Sequence, residues 1–146
     1  MIAALVVAVG GGVGAILRFL LDAWVTRWAT RRASRNRSGY PAQRFPWGIT
    51  VVNLTGSLAL GVLVGWLGRG LVVSAAARPG SPDTLLWLTL GVGLLGGFTT
   101  MSTASLDTVR LAQSGRIAAA AGNALGTLGA AALLAAAGVL IGQAIS

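Results

Sequence analysis

Residues 96–105 read GGFTTMSTAS, and this stretch decides how the chain is built. It lies inside a long apolar segment, where two adjacent glycines are followed by five hydroxyl side chains in seven residues. Gly96 comes 11 residues after Leu85, which is about 17 Å along a helix and near the middle of a ~30 Å hydrocarbon core. Adjacent glycines weaken a helix, and backbone freed at that depth must be buried in protein or line a cavity. The stretch therefore predicts either a transmembrane helix broken near the bilayer midplane or a kinked helix whose hydroxyls bond its own carbonyls.

The composition of the whole chain is that of a membrane protein. Of its 146 residues, 55% are hydrophobic and 10% are charged, whereas a soluble domain carries about 25% charged residues. So little charge cannot cover a globule, which excludes a soluble monomer. The chain has no Cys or His, and its three acidic residues are scattered Asp, so an enzyme is not expected. The arginines fall between apolar runs, which favours loops beside a membrane over nucleic-acid binding.

Four apolar stretches are long enough to cross a bilayer, which takes roughly 20 residues. They cover residues 2–21, 47–67, 85–106 and 117–145. No basic residue precedes the first stretch, which predicts a retained span rather than a signal peptide. The predicted fold class is an all-α integral membrane protein with four transmembrane helices in a single domain, 1–146. Glycines four residues apart predict close helix packing at Gly10/Gly14, Gly61/Gly65, Gly93/Gly97, Gly122/Gly126 and Gly138/Gly142.

The arginines between the spans are distributed unevenly. Six lie between the first and second spans and two between the third and fourth, whereas the opposite side has only Arg69 and Arg78. By the positive-inside rule, both odd-numbered connections are cytoplasmic and both termini are outside. We therefore expect a multi-pass protein of the cell membrane with one fixed orientation.

A few polar side chains lie within the spans, where lipid cannot satisfy them. On the second span, Asn53 begins a stripe of polar and small residues that recurs every fourth position to Gly65. This stripe indicates either an ion pathway or a hydrogen-bonded helix interface. Arg18 is the only charge inside a span, and it either snorkels to the cytoplasmic surface or faces a vestibule where it attracts an anion. On the fourth span, Asn123 and Thr127 stand at i, i+4 and share a face.

Three motifs, one in each of the first three spans, resemble segments of the small four-span fluoride channels of the Fluc or CrcB family. GGVGAILRF at residues 11–19 is similar to the family's GGxxGAxxRY pattern, with Phe in place of Tyr. WGITVVNLTGS at residues 47–57 resembles GTLxVNxxGS, and GLLGGFTTMSTAS at residues 93–105 resembles GxxGGxTTFSTFS. The motifs come in the family's order, whereas the fourth span matches the family only in its length and its general apolar character.

The resemblance implies passive export of fluoride from the cytoplasm. Members of the family are antiparallel dimers with two narrow pores along the subunit interface and a structural sodium ion at the dimer centre. By motif position, the backbone carbonyls of Gly96 and Thr99 correspond to the sodium ligands, and Asn53 to the pore-lining amide. Ser102 and Thr103 correspond to hydroxyls beside the pore.

Two features depart from the family's pattern. Met101 and Ala104 replace two phenylalanines that line the pore in the family, so the positive ring edge that can face an anion is missing. We expect a pore lined by these two positions to conduct poorly or differently. The second departure is the arginine bias, because a homodimer of antiparallel copies requires a chain that inserts in both directions. The bias predicts a heterodimer with an oppositely oriented paralogue, and a homodimer is the alternative.

Two other functions fit a four-span chain. A non-conducting subunit with the shape of the channel would serve only to fold or regulate its partner. A small multidrug exporter also pairs antiparallel, but its proton coupling needs a carboxylate within the membrane. The four predicted spans have no acidic residue apart from Asp22 at one end, which argues against the exporter. The expected partners are fluoride, the lipid bilayer and a second subunit, and nucleic acid is not expected.

Overall fold

The computed structural model describes residues 1–34, 45–68 and 82–146, and every regular element in these ranges is helical. The first helix runs over Ile2–Ser34 and the second over Trp47–Leu67. Five of the arginines from which the orientation is predicted lie outside the described residues: Arg35, Arg37, Arg44, Arg69 and Arg78.

The third and fourth spans are each assembled from several helical segments. The first half of the third span runs to Phe98, a two-residue interruption follows, and the second half begins at Met101. Both spans also contain a wider π-helical segment. In chain order the segments are Pro82–Trp87, Leu88–Leu95 (π), Gly96–Phe98, Met101–Gln113, Ile117–Ala121, Gly122–Gly126 (π) and Thr127–Ala144.

In the described part of the chain, four helices are long and apolar enough to cross a membrane, which confirms the predicted all-α, four-span class. They are Ile2–Arg32, Trp47–Leu67, Thr84–Gln113 and Ile117–Ala144. Two of these helices continue beyond the apolar stretches predicted as spans. The first helix runs well past residue 21 and the third past residue 106, because hydropathy falls at the charged residues while helix propensity does not. The third helix thus includes Asp107, which pairs with Arg110 at 3.6 Å, one turn along the same helix.

A sharp reversal joins the third span to the fourth. Gly115 has φ 77°, a left-handed conformation that glycine adopts at little cost. Its N–H donates to the carbonyl of Ala112 at 2.9 Å, and the N–H of Arg116 donates to Leu111 at 3.0 Å. This pair of bonds is a Schellman cap, which ends the third helix and starts the fourth within three residues.

Glycines bring the helices together in two pairs. The first helix packs on the first half of the third span, where a Cβ on Gly14 would overlap the Leu94 carbonyl and one on Gly97 would overlap Gly11. The second helix packs on the fourth span, where a Cβ on Gly61 would overlap the Ala135 carbonyl. Close backbone approach of this kind is how helices associate in lipid. Of the predicted glycine pairs, only Gly122/Gly126 has no neighbouring atom within 4 Å in the described chain.

The tryptophans lie near the two ends of the spans. Asp22 of the first helix contacts Gly48 at the start of the second, so Trp24 and Trp47 stand at one end. Trp66 is 19 residues after Trp47, which is about 28 Å along the helix and close to the ~30 Å thickness of a hydrocarbon core. Because tryptophan favours both membrane interfaces, this spacing supports a membrane-spanning second helix.

Candidate ion pathway

The third span is broken at Thr99 and Thr100. Thr99 has φ −79° and ψ 153°, and Thr100 has φ −147° and ψ 124°, so both residues are extended between two helices. The predicted break is therefore confirmed, but it does not lie at the glycines, because Gly96 is still helical. The helix ends later, where hydroxyl and amide side chains are available to bond the freed backbone.

Asn53 of the second helix binds the backbone on both sides of Thr100. Its Nδ2 donates to the Thr100 carbonyl at 2.9 Å, and its Oδ1 accepts the Thr100 N–H at 2.9 Å. The Asn53 carbonyl thus replaces the acceptor that a continuous helix would supply to the Thr100 N–H, and the Asn53 N–H adds a donor to the Thr100 carbonyl, which also accepts the first bond of the following helix. Thr100 is only 9% exposed, so the clamp satisfies an N–H that would otherwise be buried without a partner. We call this arrangement, Asn53 with the backbone of Thr100, the amide clamp.

The Thr100 side chain starts the second half of the span. Its Oγ1 accepts the N–H of Thr103 at 3.4 Å, as a helix N-cap does. The same oxygen lies 3.2 Å from the hydroxyl of Ser102 and 3.3 Å from that of Thr103. The predicted polar residues Asn53, Ser102 and Thr103 therefore meet around Thr100, a residue that the sequence did not single out.

The interruption diverts the amides that would serve two nearby carbonyls. In a continuous helix the Thr100 N–H would donate to Gly96, but here it donates to Asn53. The Thr103 N–H would donate to Thr99, but it donates to the Thr100 hydroxyl. The last bond of the first half is the Thr99 N–H to the Leu95 carbonyl at 3.0 Å, and the Thr99 hydroxyl bonds the same carbonyl. Gly96 and Thr99 therefore have carbonyl oxygens without their helical donors.

Other predicted pathway residues are placed differently around the break. Met101 is 78% exposed and Ser102 is also exposed, whereas Thr103 and Ala104 are half-buried. Arg18 is half-buried one turn beyond Gly14, and it makes no hydrogen bond or ion pair with any residue that the structure describes.

The polar stripe of the second helix divides between two neighbours. Asn53 bonds the third span, whereas Gly61 and Gly65 pack against the fourth. A Cβ on Gly65 would overlap the Val139 carbonyl, so the second and fourth helices are in direct contact at that level. Over Gly61 and Gly65 the stripe is therefore a helix interface.

Asn123 connects the fourth span to the second half of the third. It is 4% exposed, and its Nδ2 donates to the Ala104 carbonyl at 3.2 Å and to Thr108 Oγ1 at 2.8 Å. Asn123 lies in the π-helical turn of the fourth span. Thr127, one turn further on, has a buried hydroxyl with no hydrogen-bond partner in the described chain.

Within the described ranges, four helices could cross a membrane, one of them is broken, and polar groups gather at the break, as in a small membrane transport protein. The comparisons with known proteins identify its family. Residues 5–139 match the family described as CrcB-like protein, Camphor Resistance (CrcB). The chain belongs to this family, as its three motifs predict.

Curated relatives cover most of the chain. The fluoride-specific ion channel FluC of Novosphingobium aromaticivorans is 43% identical over 128 residues, which is 88% of this chain and 86% of the relative. FluC 2 of Nocardia farcinica is 38% identical over 138 residues, 94% of this chain and 80% of the relative. FluC 1 of Rubrobacter xylanophilus is 41% identical over 117 residues, 80% and 74% respectively.

Proposed function

We propose that this chain is a subunit of a fluoride channel that lets fluoride leave the cytoplasm passively. The observation that carries the proposal is the amide clamp, because it holds a polar interruption open in the middle of an apolar span. The names of the curated relatives supply the ion. The chemistry at the break agrees with that ion, because N–H and O–H donors gather there and no carboxylate of the described residues bonds to them.

The two helix ends at the break have opposite polarity. The second half begins at Met101, and the N-terminus of a helix carries a partial positive charge and free N–H groups that favour an anion. The hydroxyls of Ser102 and Thr103 lie in this first turn and add donors. We therefore assign the anion pathway to this side of the break, with Asn53 beside it.

The carbonyl end of the first half has the polarity that suits a cation. Within the described ranges no three His, Cys, Asp or Glu side chains cluster, so a cation here would be held by backbone oxygens. The carbonyls of Gly96 and Thr99 fit this role because their helical donors are diverted. We propose that they hold a structural sodium ion, which would supply positive charge where two subunits meet.

A pore of this kind needs a second subunit. Met101 and Ser102 lie at the surface of the single chain, where they would line a pore only against another molecule. We propose an antiparallel dimer in the plasma membrane, with both termini of this chain outside. The surplus of cytoplasmic arginine favours an oppositely oriented paralogue over a second copy of this chain.

A second candidate is a non-conducting subunit that supports its partner's pore. It is favoured by Met101 and Ala104, which stand where the family's pattern has phenylalanine. The exposed thioether of Met101 offers no positive ring edge to an anion.

Fluoride efflux from liposomes tests both candidates. The chain is reconstituted alone, then together with its paralogue, and efflux is followed with a fluoride electrode. Efflux from the mixture only supports the heterodimer, whereas efflux from the chain alone supports a homodimer and refutes the charge argument. In an active mixture, Met101→Phe in this chain should raise efflux if its own pathway conducts, and should leave it unchanged if the chain is only structural.

Replacing sodium tests the cation assignment separately. Thermal unfolding of the purified dimer is compared in sodium and in N-methylglucamine, a cation too large for a site between helices. A ligand that binds only the folded state raises its stability. We expect a higher unfolding temperature in sodium, and equal temperatures would reject the site at Gly96 and Thr99.

A further inference from the structure

The first helix extends beyond the membrane level marked by its neighbour. Asp22 contacts Gly48 at the start of the second helix, so Trp24 lies near the interface. The helix then continues from Trp24 to Ser34, about 15 Å further at 1.5 Å per residue. This extension reaches across the depth of a lipid headgroup layer, which is roughly 5–8 Å on each side of the core.

The extension has one packed face and one exposed face. Val25 is 8% exposed, and Ala29 and Thr30 are half-buried, so this face rests on the protein. The opposite face presents Trp24, which is 67% exposed, and Trp28, which is 53% exposed. Three arginines are exposed on the same face as the tryptophans, at positions 27, 31 and 32.

Arg27 and Arg32 on this face offer N–H donors to an external acceptor. The Arg32 guanidinium carbon lies over the Trp28 ring, 4.6 Å from its centroid. A cation–π contact uses no hydrogen-bond acceptor, so the guanidinium N–H groups can still donate to an external acceptor. Neither Arg27 nor Arg32 has a carboxylate partner among the residues that the structure describes. Asp22, on the same helix, lies on the other face.

We propose that this exposed face, Trp24, Arg27, Trp28 and Arg32, binds the headgroups of anionic phospholipids. The order of the side chains along the helix matches the order of layers in a bilayer. Trp24 lies at the boundary of the hydrocarbon, and the guanidinium of Arg32 lies two turns further out, where the phosphates are. Arginine binds phosphate oxygens with two parallel hydrogen bonds.

Charge complementarity selects lipid over other occupants. An acidic protein segment or a nucleic acid would account for Arg27 and Arg32, but not for exposed tryptophans at the level where the second helix enters the membrane. A neutral lipid would account for the tryptophans alone. The proposal concerns the lipid contacts of the folded chain and does not depend on whether the chain conducts fluoride.

Fluorescence quenching by brominated lipids tests the proposal. The full-length chain is reconstituted in phosphatidylcholine vesicles that contain an equal fraction of either brominated phosphatidylcholine or brominated phosphatidylglycerol. The signal of the two tryptophans is the difference between the parent chain and a Trp24→Phe/Trp28→Phe variant. Helical content by circular dichroism confirms that each variant is folded.

We expect stronger quenching by brominated phosphatidylglycerol in the parent chain. Each arginine near an anionic surface contributes about 1 kcal/mol, so Arg27→Gln/Arg32→Gln should lower the preference by up to about fivefold per arginine. The matched control is Arg110→Gln/Arg116→Gln, which removes the same charge elsewhere and should leave the preference intact. Salt at 1 M should also weaken the preference, because the Debye length falls to about 3 Å.

Three results would overturn the proposal. Equal quenching by the two brominated lipids would mean that the face has no anionic preference. An equal loss in the two double variants would mean that only total charge matters. Quenching by neither lipid would mean that another molecule, such as the second subunit, covers Trp24 and Trp28.

Discussion

Replacing Asn53 by Leu removes the amide clamp while keeping the same number and branching of side-chain heavy atoms. Both 2.9 Å bonds are lost, and the Thr100 N–H is left without a partner at a residue that is 9% exposed, whereas the Thr100 carbonyl keeps the first bond of the following helix. An orphaned buried N–H costs about 1–3 kcal/mol. Taking about 2 kcal/mol for the N–H and about 0.6 kcal/mol for the second interhelical bond, the variant should lose about 2.6 kcal/mol, a factor of roughly eighty in the folding equilibrium.

Equilibrium unfolding in mixed micelles measures this loss, and Asn123→Leu is its matched control. That variant also removes two bonds from a buried amide. However, the Ala104 carbonyl keeps a bond from Thr108 Oγ1 at 2.8 Å, so no acceptor is orphaned. At about 0.6 kcal/mol for each interhelical bond in a membrane, the control should lose only about 1 kcal/mol. If Asn53→Leu proves no more costly than Asn123→Leu, the clamp does not stabilise the break.

Three further changes test the packing, the cap and the pore lining. Gly14→Ala places a Cβ 2.8 Å from the Phe98 amide nitrogen and should lower the free energy of unfolding in micelles by about 1–3 kcal/mol. Gly12→Ala meets no atom within 4 Å and should cost nothing, so equal effects of the two variants would contradict the packing. Thr100→Val removes the capping hydroxyl and should lower the free energy of unfolding by about 1 kcal/mol in the same assay, whereas Thr100→Ser should retain most of the stability. Equal losses in the two variants would show that the hydroxyl is not the cap. Met101→Phe, at a 78% exposed site, should change stability by less than about 0.5 kcal/mol and raise fluoride efflux from liposomes, and unchanged efflux would remove Met101 from the pathway.

The helices could be predicted from the sequence more fully than their ends. Apolar runs predict the four spans because lipid requires every spanning backbone group to be bonded within the chain. The run in the first helix stops near residue 21, although the helix itself continues to Ser34. Hydropathy indicates which residues favour lipid. Helix propensity is a separate property, so a helix can continue through arginine, alanine and tryptophan at the membrane surface.

The sequence predicts which residues belong to the site, but it does not predict how they contact one another. The glycine pair at Gly96 indicates that the third helix is weak, and the structure places the interruption at Thr99 and Thr100 instead. The difference comes from Asn53, whose partner lies 47 residues away and cannot be read from local spacing. Spacing also cannot tell an internal glycine contact from an external one, which is why Gly122 was expected to pack and has no neighbour in the described chain.

The glycine contacts between the second and fourth helices have a consequence for the lipid around the protein. Trp47 and Trp66 fix a span of about 28 Å on the second helix, and Gly61 and Gly65 lock that helix to its neighbour. In a thinner bilayer the two helices cannot tilt independently to relieve hydrophobic mismatch, so the pair must tilt together or the lipid must thicken around it. Asn53 belongs to the helix that tilts and is bonded to Thr100 at the break in the third span. A change in lipid acyl-chain length should therefore affect the break.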